Sequence, residues 1–310
     1  MTLENLRARF RGNRLALSAV VWLILITLGA TLGLFLLPVD PFTQELLARL
    51  QPPMTASDTW FPHILGTDAL GRDVLARVLL GARISLTVAA CSVALAMVFG
   101  TTVGILAGYF RGIVDDILGR AIDVMIGFPG ILAAMFLLFV VGPGFWNIVL
   151  VLALLRWQIY ARVSRSLAMG IRELPYVEST RLLGSRHARV VLRHVLPNAL
   201  SPILILATLE VAYVMLAEAT LSFLGFGIQP PLSSWGVEVA RSREYIRSAW
   251  WLITFPGLAI FLTTLSLNVL ASTFRSWEAH RGVASDGEPD VDSSGLGRSQ
   301  LDGKPGEAPT

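Results

Sequence analysis

Four stretches of this chain, Leu15–Leu37, Ile84–Phe110, Val124–Leu155 and Ala249–Phe274, contain no charged side chain at all. A bilayer core about 30 Å thick is crossed by about 20 mostly apolar helical residues, so each stretch is long enough to span. A backbone in lipid must satisfy its own hydrogen bonds, which leaves helices as the way to fold such runs. A fifth run, Val195–Leu224, is apolar apart from Glu210 and Glu218. Val124–Leu155 is too long for one straight crossing and carries Gly142-Pro143-Gly144 near its middle, a turn signal that divides it into two helices. The expectation is an all-α membrane protein with about six transmembrane helices. Composition agrees: 54% of the 310 residues are hydrophobic and 15% are charged, with a mean hydropathy of +0.64.

The first run follows a basic cluster, Arg7, Arg9, Arg11 and Arg14. A cleaved signal peptide has an apolar region of about 7–15 residues and small residues at its cleavage site. This run has full spanning length and ends in Leu-Leu-Pro, so it reads as an uncleaved anchor. Seventeen of the 25 basic residues fall on one side when the N-terminus is placed inside, and seven fall on the other, with Arg156 within the fourth span. That asymmetry places both termini in the cytoplasm. The positive charge is therefore a topology signal, and no nucleic-acid partner is expected. The division that follows is a cytoplasmic segment 1–14, a first transmembrane helix 15–37, an external loop 38–82, a five-helix core 83–275 containing a cytoplasmic loop 162–198, and a tail 276–310. From Gly282 onward the tail is rich in Gly, Ser, Asp and Pro and reads as disordered.

What is missing narrows the function. No Gly-x-x-x-x-Gly-Lys-Ser/Thr phosphate loop occurs, and the single lysine, Lys304, lies in the tail. His63, His187, His194 and His280 are scattered without metal-ligand spacing, and Cys91 has no cysteine to pair with. Neither a cofactor nor a catalytic constellation is expected in the chain. The external segments, Pro38–Ala82 and Gly225–Ser248, are short, so capture of dilute solute falls to an external binding protein.

The one large internal loop is organised. Pro175 suits the first turn of a helix over Tyr176–Leu183, and Gly184 ends it, since only glycine takes a left-handed backbone without penalty. A second helix, Ser185–Val195, is closed by Pro197. Two short polar helices cannot span, but they can dock. The alternative is a solvated basic loop that only fixes topology.

The stretch Glu173 to Asn198, with Glu178-Ser179-Thr180, then Gly184, then Leu196-Pro197, resembles the Glu-Ala-Ala loop of ABC-importer permeases, two small hydroxyl residues standing for the alanines. His63-Ile-Leu-Gly-Thr-Asp68-Ala-Leu-Gly-Arg72-Asp73, Arg120-x-x-Asp123 with Phe128-Pro129, Phe223-Leu-Gly-Phe-Gly with Ser234-Trp-Gly, and Trp250-Trp-Leu-Ile-Thr-Phe-Pro256-Gly resemble the C-type permeases of the dipeptide/oligopeptide/nickel importers. The likeness covers about residues 1–275 and departs at the C-terminus. It implies a type I ABC-importer permease fold in the bacterial inner membrane. It also implies a second homologous permease, two ATPase subunits that hold ATP and Mg, an external solute-binding protein, and uptake of di- or oligopeptides. The coupling helix would present Tyr176, Val177, Glu178, Ser179, Thr180, Leu183 and Gly184 to an ATPase cleft.

Charges inside spans need partners or a pathway, because each costs at least about 2.5 kcal/mol at the bilayer centre. Arg120 and Asp123 are three apart on one helix face and are expected to pair. Glu210 and Glu218 lie near one face of the fifth span. They either line a translocation route or, for one of them, pair with Arg156. A proton-coupled carrier using Glu210 and Glu218 is the rival from another class.

Overall fold

A computed structural model describes residues 14–33, 40–55 and 62–285, with side chains to residue 276. Its elements, in order, are α1 (Arg14–Leu28, prolonged by a π turn Gly29–Gly33), α2 (Val74–Phe110), α3 (Ile113–Ile126), α4 (Gly130–Val141), α5 (Phe145–Arg172), α6 (Pro175–Leu182), α7 (His187–Val190), α8 (Leu196–Phe223), α9 (Trp235–Ser242) and α10 (Trp251–Ser285). A π turn, Val191–Val195, joins α7 to α8. Among the described residues there are only isolated β-bridges, Thr55 with His63 and Thr67 with Asp73.

Among the described residues, four helical runs are long and apolar enough to cross a membrane: Arg14–Gly33, Val74–Phe110, His187–Phe223 and Trp251–Ser276. Helices α3 and α4, bent through 89° at their break, reach that length and polarity only as a pair. The sixth expected crossing is α5, 28 residues long but diluted by Arg156, Gln158 and Arg162. It lies inside the bundle along α2, in the most extensive helix pairing of the molecule. There Arg156 meets Glu210 instead of lipid.

The α2–α5 pairing has a sequence cause. Gly100, Gly104 and Gly108 recur every fourth residue and so share one face of α2. A methyl on Gly100 would lie 2.8 Å from Tyr160 Cβ, on Gly104 2.8 Å from Ala161 Cα, and on Gly108 3.1 Å from Ala168 Cβ. The backbone carbonyls of Trp157, Ala161 and Arg165 are closer still. Without side chains on that face, two backbones approach to a distance no other residue permits. Large apolar side chains elsewhere on the bundle surface, such as Ile24, Phe136 and Phe139, are exposed and suit a lipid surround.

Several boundaries differ from expectation. Helix α2 begins at Val74, so Arg77, assigned to the loop 38–82, stands on the helix; Asp73 caps it by accepting from Ala76 N–H at 3.0 Å. The third crossing is not one helix from Val124, because Gly127-Phe128-Pro129 breaks it into α3 and α4. Proline has no N–H to continue the ladder. Helix α5 runs to Arg172, ten residues past the expected edge of the loop 162–198. Pro197 does not close the second loop helix. The π turn before it bonds Leu196 N–H to the Val191 carbonyl, and the chain runs on into α8. Helix α10 continues to Ser285, past residue 275 where the tail was set; residues 286–310 and the arginines 7, 9 and 11 lie outside the described residues.

Candidate functional site

The bundle has two ends, marked by α6 and α7 at one (the loop end) and by residues 40–73 and α9 at the other (the hairpin end). At the loop end, Pro175 sits in the first turn of α6, as its fixed φ and missing N–H favour. Leu183 closes the helix, and Gly184 takes φ +81°, the left-handed turn that lets α7 leave at an angle. Val177 is the one buried residue of α6. It packs with Ile105, Tyr109, Ala168, Val190 and Val195 in a small core separate from the main one. The opposite side of α6 is open: Leu182 and Leu183 are 82% and 87% exposed. Tyr176 is half exposed, with its hydroxyl accepting from Asn198 Nδ2 at 3.0 Å. The Ser179 and Thr180 hydroxyls donate to the carbonyls of Pro175 and Tyr176 in their own helix at 2.8 and 2.7 Å. Glu178 is exposed. The seven residues assigned to docking thus occupy one short helix and its cap, with Val177 facing inward and the rest outward or folded on the helix.

Within the bundle, Arg156 of α5 meets Glu210 of α8 in a bidentate pair, Nε to Oε2 at 2.7 Å and Nη2 to Oε1 at 2.6 Å. The Arg156 guanidinium also stacks 3.9 Å from the Tyr213 ring centre. The pair with Arg156 expected for one of the two glutamates thus forms at Glu210. Arg156, Tyr213, Gln158 and Arg162 line a cleft of about 330 Å³ whose other walls are apolar, among them Met125, Phe128 and Leu155. Glu218 has a different setting. It is fully buried and accepts from Ser85 at 3.1 Å and Ser222 at 2.7 Å, tying α2 to α8. It does not line the cleft. In place of the expected Arg120–Asp123 pair, Asp123 faces Arg162 of α5 at 3.6 Å, both well exposed, because α3 packs against α5 on the side that carries Asp123.

The hairpin end carries residues that counting of spans passes over. Trp235, fully buried, donates from Nε1 to the Val78 carbonyl at 2.9 Å and fits against Gly81. Arg77, 1% exposed, donates from Nε to Glu238 Oε1 at 3.1 Å. Burial pushes the Arg241 guanidinium down from its ordinary range, and the Glu238 carboxylate nearby pulls it back up. His63 Nδ1 lies 2.9 Å from Asp73. Asp68 accepts from the backbone of Leu70 and Arg72 and from the Arg72 side chain, which folds the 68–73 turn on itself. The signal in the sequence was Ser-Ser-Trp-Gly, a large residue beside a glycine in a loop.

Comparison with known proteins identifies what this architecture belongs to. Residues 100–281 match the family model described as binding-protein-dependent transport system inner membrane component. Residues 4–53 match the N-terminal TM domain of oligopeptide transport permease C. The di/tripeptide transport system permease protein DppC of Pseudomonas aeruginosa is 35% identical over 86% of this chain and 88% of its own. The dipeptide permease DppC of Alkalihalophilus pseudofirmus is 36% identical over 86% of each chain. The glutathione transport system permease protein GsiD of Pectobacterium atrosepticum is 36% identical over 86% of this chain and 87% of its own. Among solved structures, an amino acid ABC transporter crystallised with histidines is similar at a TM-score of 0.48 and 20% identity, over 64% of this chain and 93% of that one. By its sequence over most of its length, the chain belongs to the family of binding-protein-dependent transport system inner membrane components, as a permease subunit of an ABC importer.

Proposed function

We propose that this permease takes up di- or oligopeptides, forming the translocation route with a second homologous permease. It draws its energy from two ATPase subunits that bind ATP and Mg, and receives solute from an external binding protein. The loop end faces the cytoplasm, as do both termini, in a bacterial inner membrane. Alternating access follows when ATP draws the ATPase clefts together and α6 moves with them. The observation that carries this reading is the two-sided character of α6. Val177 anchors one side to the bundle, and the adjacent leucines 182 and 183 stand in solvent, an arrangement with no use in an isolated chain. Peptide chemistry is supported by the relatives, which are named for dipeptide, di/tripeptide and glutathione transport.

The Arg156–Glu210 pair and the serine-bound Glu218 support structural roles for these carboxylates over proton carriage. Reconstitution separates the two readings. The full assembly in proteoliposomes is expected to accumulate labelled dipeptide only with internal ATP. Uptake by this chain alone, driven by a pH gradient, would establish the carrier instead.

A further inference from the structure

The small core at the loop end is fastened by more than apolar contact. Tyr109, next to the last residue of α2, is 2% exposed, and its hydroxyl lies 3.0 Å from Nδ1 of His187, the first residue of α7. The two rings meet edge to face at 5.8 Å, and Phe110 closes on the same imidazole at 5.8 Å. Arg172, at the end of α5, donates to the Tyr109 carbonyl and sits 5.6 Å over its ring. Helix α2 stops just beyond, where Arg111 and Gly112 take φ of 58° and 70°. A helix end is therefore held from two sides, by α5 and by α7.

The grip has something firm to hold. Gly100, Gly104 and Gly108 seat α2 against the α5 backbone immediately below Tyr109, so that end of α2 cannot slide or turn without moving α5. Helix α6, by contrast, joins the rest of the chain through the turn at Glu173–Leu174 and through Gly184–Arg186, and it buries only Val177. Its side-chain ties to the chain beyond, Tyr176 to Asn198 and to the His194 ring, are exposed, whereas the Tyr109 ring that meets His187 is buried and sets a direction.

We propose that Tyr109 and His187 are positioning residues for energy coupling: they clamp the loop to the α2–α5 pair, so that a displacement of α6 reaches that pair and is not absorbed at Gly184. This rests on the coupling role of α6 given above. Among the described residues, the core around the clamp draws on α2, α5, α6, α7 and the π turn. The clamp thus selects which helices receive the motion.

The test uses the full assembly in proteoliposomes, reading peptide taken up per ATP hydrolysed, together with the amount of ATPase that co-purifies. Tyr109→Phe keeps the ring packing and removes the hydroxyl. We expect the transport-to-hydrolysis ratio to fall about fivefold, the worth of one hydrogen bond, with ATPase co-purifying as in the parent. His187→Ala is expected to match it, His187→Gln to restore most of the ratio, and the double variant Tyr109→Phe/His187→Ala to be no worse than the single ones. A parental ratio in the double variant overturns the clamp. In a Cys91→Ala background, Tyr109→Cys/His187→Cys, which lacks both clamp groups, is expected to show the lowered ratio, and a short bifunctional reagent joining the two sulfurs is expected to restore it. A ratio that stays low, or falls further, on linking overturns it equally. A parent assembly that transports without ATP would overturn the coupling reading instead.

Discussion

Replacing Gly104 by alanine tests whether the α2–α5 contact is as close as the structure has it. The added methyl would lie 2.8 Å from Ala161 Cα and 2.9 Å from its carbonyl carbon. Carbon atoms in comfortable contact are about 3.5–4.0 Å apart. The shortfall is about 1 Å, and the atoms met are backbone, so no side-chain rotation relieves it and the helices must part. Overpacking costs about 1–3 kcal/mol, and a rigid obstacle puts this site at the upper end. Alanine in place of glycine within a helix returns about 1 kcal/mol, leaving a net loss of about 2 kcal/mol. Gly119 of α3 is the control, since nothing lies within 4 Å of a methyl there; Gly119→Ala keeps only the gain. The assay is size-exclusion of detergent-solubilised protein after a fixed time at each temperature, scored by the monodisperse peak. We expect Gly104→Ala to lose half its peak about 4–8 °C below the parent and Gly119→Ala to lose it at or above the parent's temperature. If Gly104→Ala survives as well as Gly119→Ala, the helices are not in backbone contact and the reasoning fails.

Three further outcomes are expected. Arg156→Met strands the Glu210 carboxylate and costs about 3–5 kcal/mol, seen as a sharp drop in membrane yield, while Arg156→Met/Glu210→Leu recovers most of it; equal yields from the two variants would contradict the pairing. Gly184→Val forces a β-branched residue to φ +81° at about 1–3 kcal/mol; we expect normal insertion with loss of ATP-driven uptake, and normal uptake would count against α6 as the coupling element. Ser179→Ala/Thr180→Ala, which writes the family's two alanines into α6, removes only hydrogen bonds to that helix's own carbonyls; uptake within about twofold of the parent is expected, and a larger loss would show that the hydroxyls meet a partner.

The spans were legible because the bilayer imposes a length and a polarity: Ile84–Phe110 falls within α2, Val195–Leu224 matches α8 to a residue at each end, and Ala249–Phe274 enters α10 at Trp251. The Gly184 stop was legible for the same kind of local reason, the sterics of one residue. The α3–α4 elbow was not, since Gly127-Phe128-Pro129 sits in a run with no charge to mark a boundary. Asp123 shows the limit of local spacing: Arg120 is a neighbour on the helix, but the charge it faces, Arg162, comes from another helix. Gly100, Gly104 and Gly108 were in view as a four-residue repeat, yet a count of apolar residues treats glycine as filler and misses what its missing side chain allows. At the docking site, the sequence located the helix but left out Tyr109 and His187, which lie 78 positions apart and meet only through the fold.

Arg77 carries a timing within its geometry. Its counter-charge, Glu238, lies 161 positions further along the chain. At a synthesis rate of about 5–20 residues per second, the glutamate follows the arginine by about 8–30 s. Through that interval the guanidinium has to keep its water, because a buried arginine without an anion is prohibitively costly. Only the seating of Trp235 beneath the first turns of α2 brings Glu238 into reach. The desolvated arginine therefore records that translation has passed the hairpin, and a nascent chain cut short before residue 238 is marked by a hydrated cation at the head of a spanning helix.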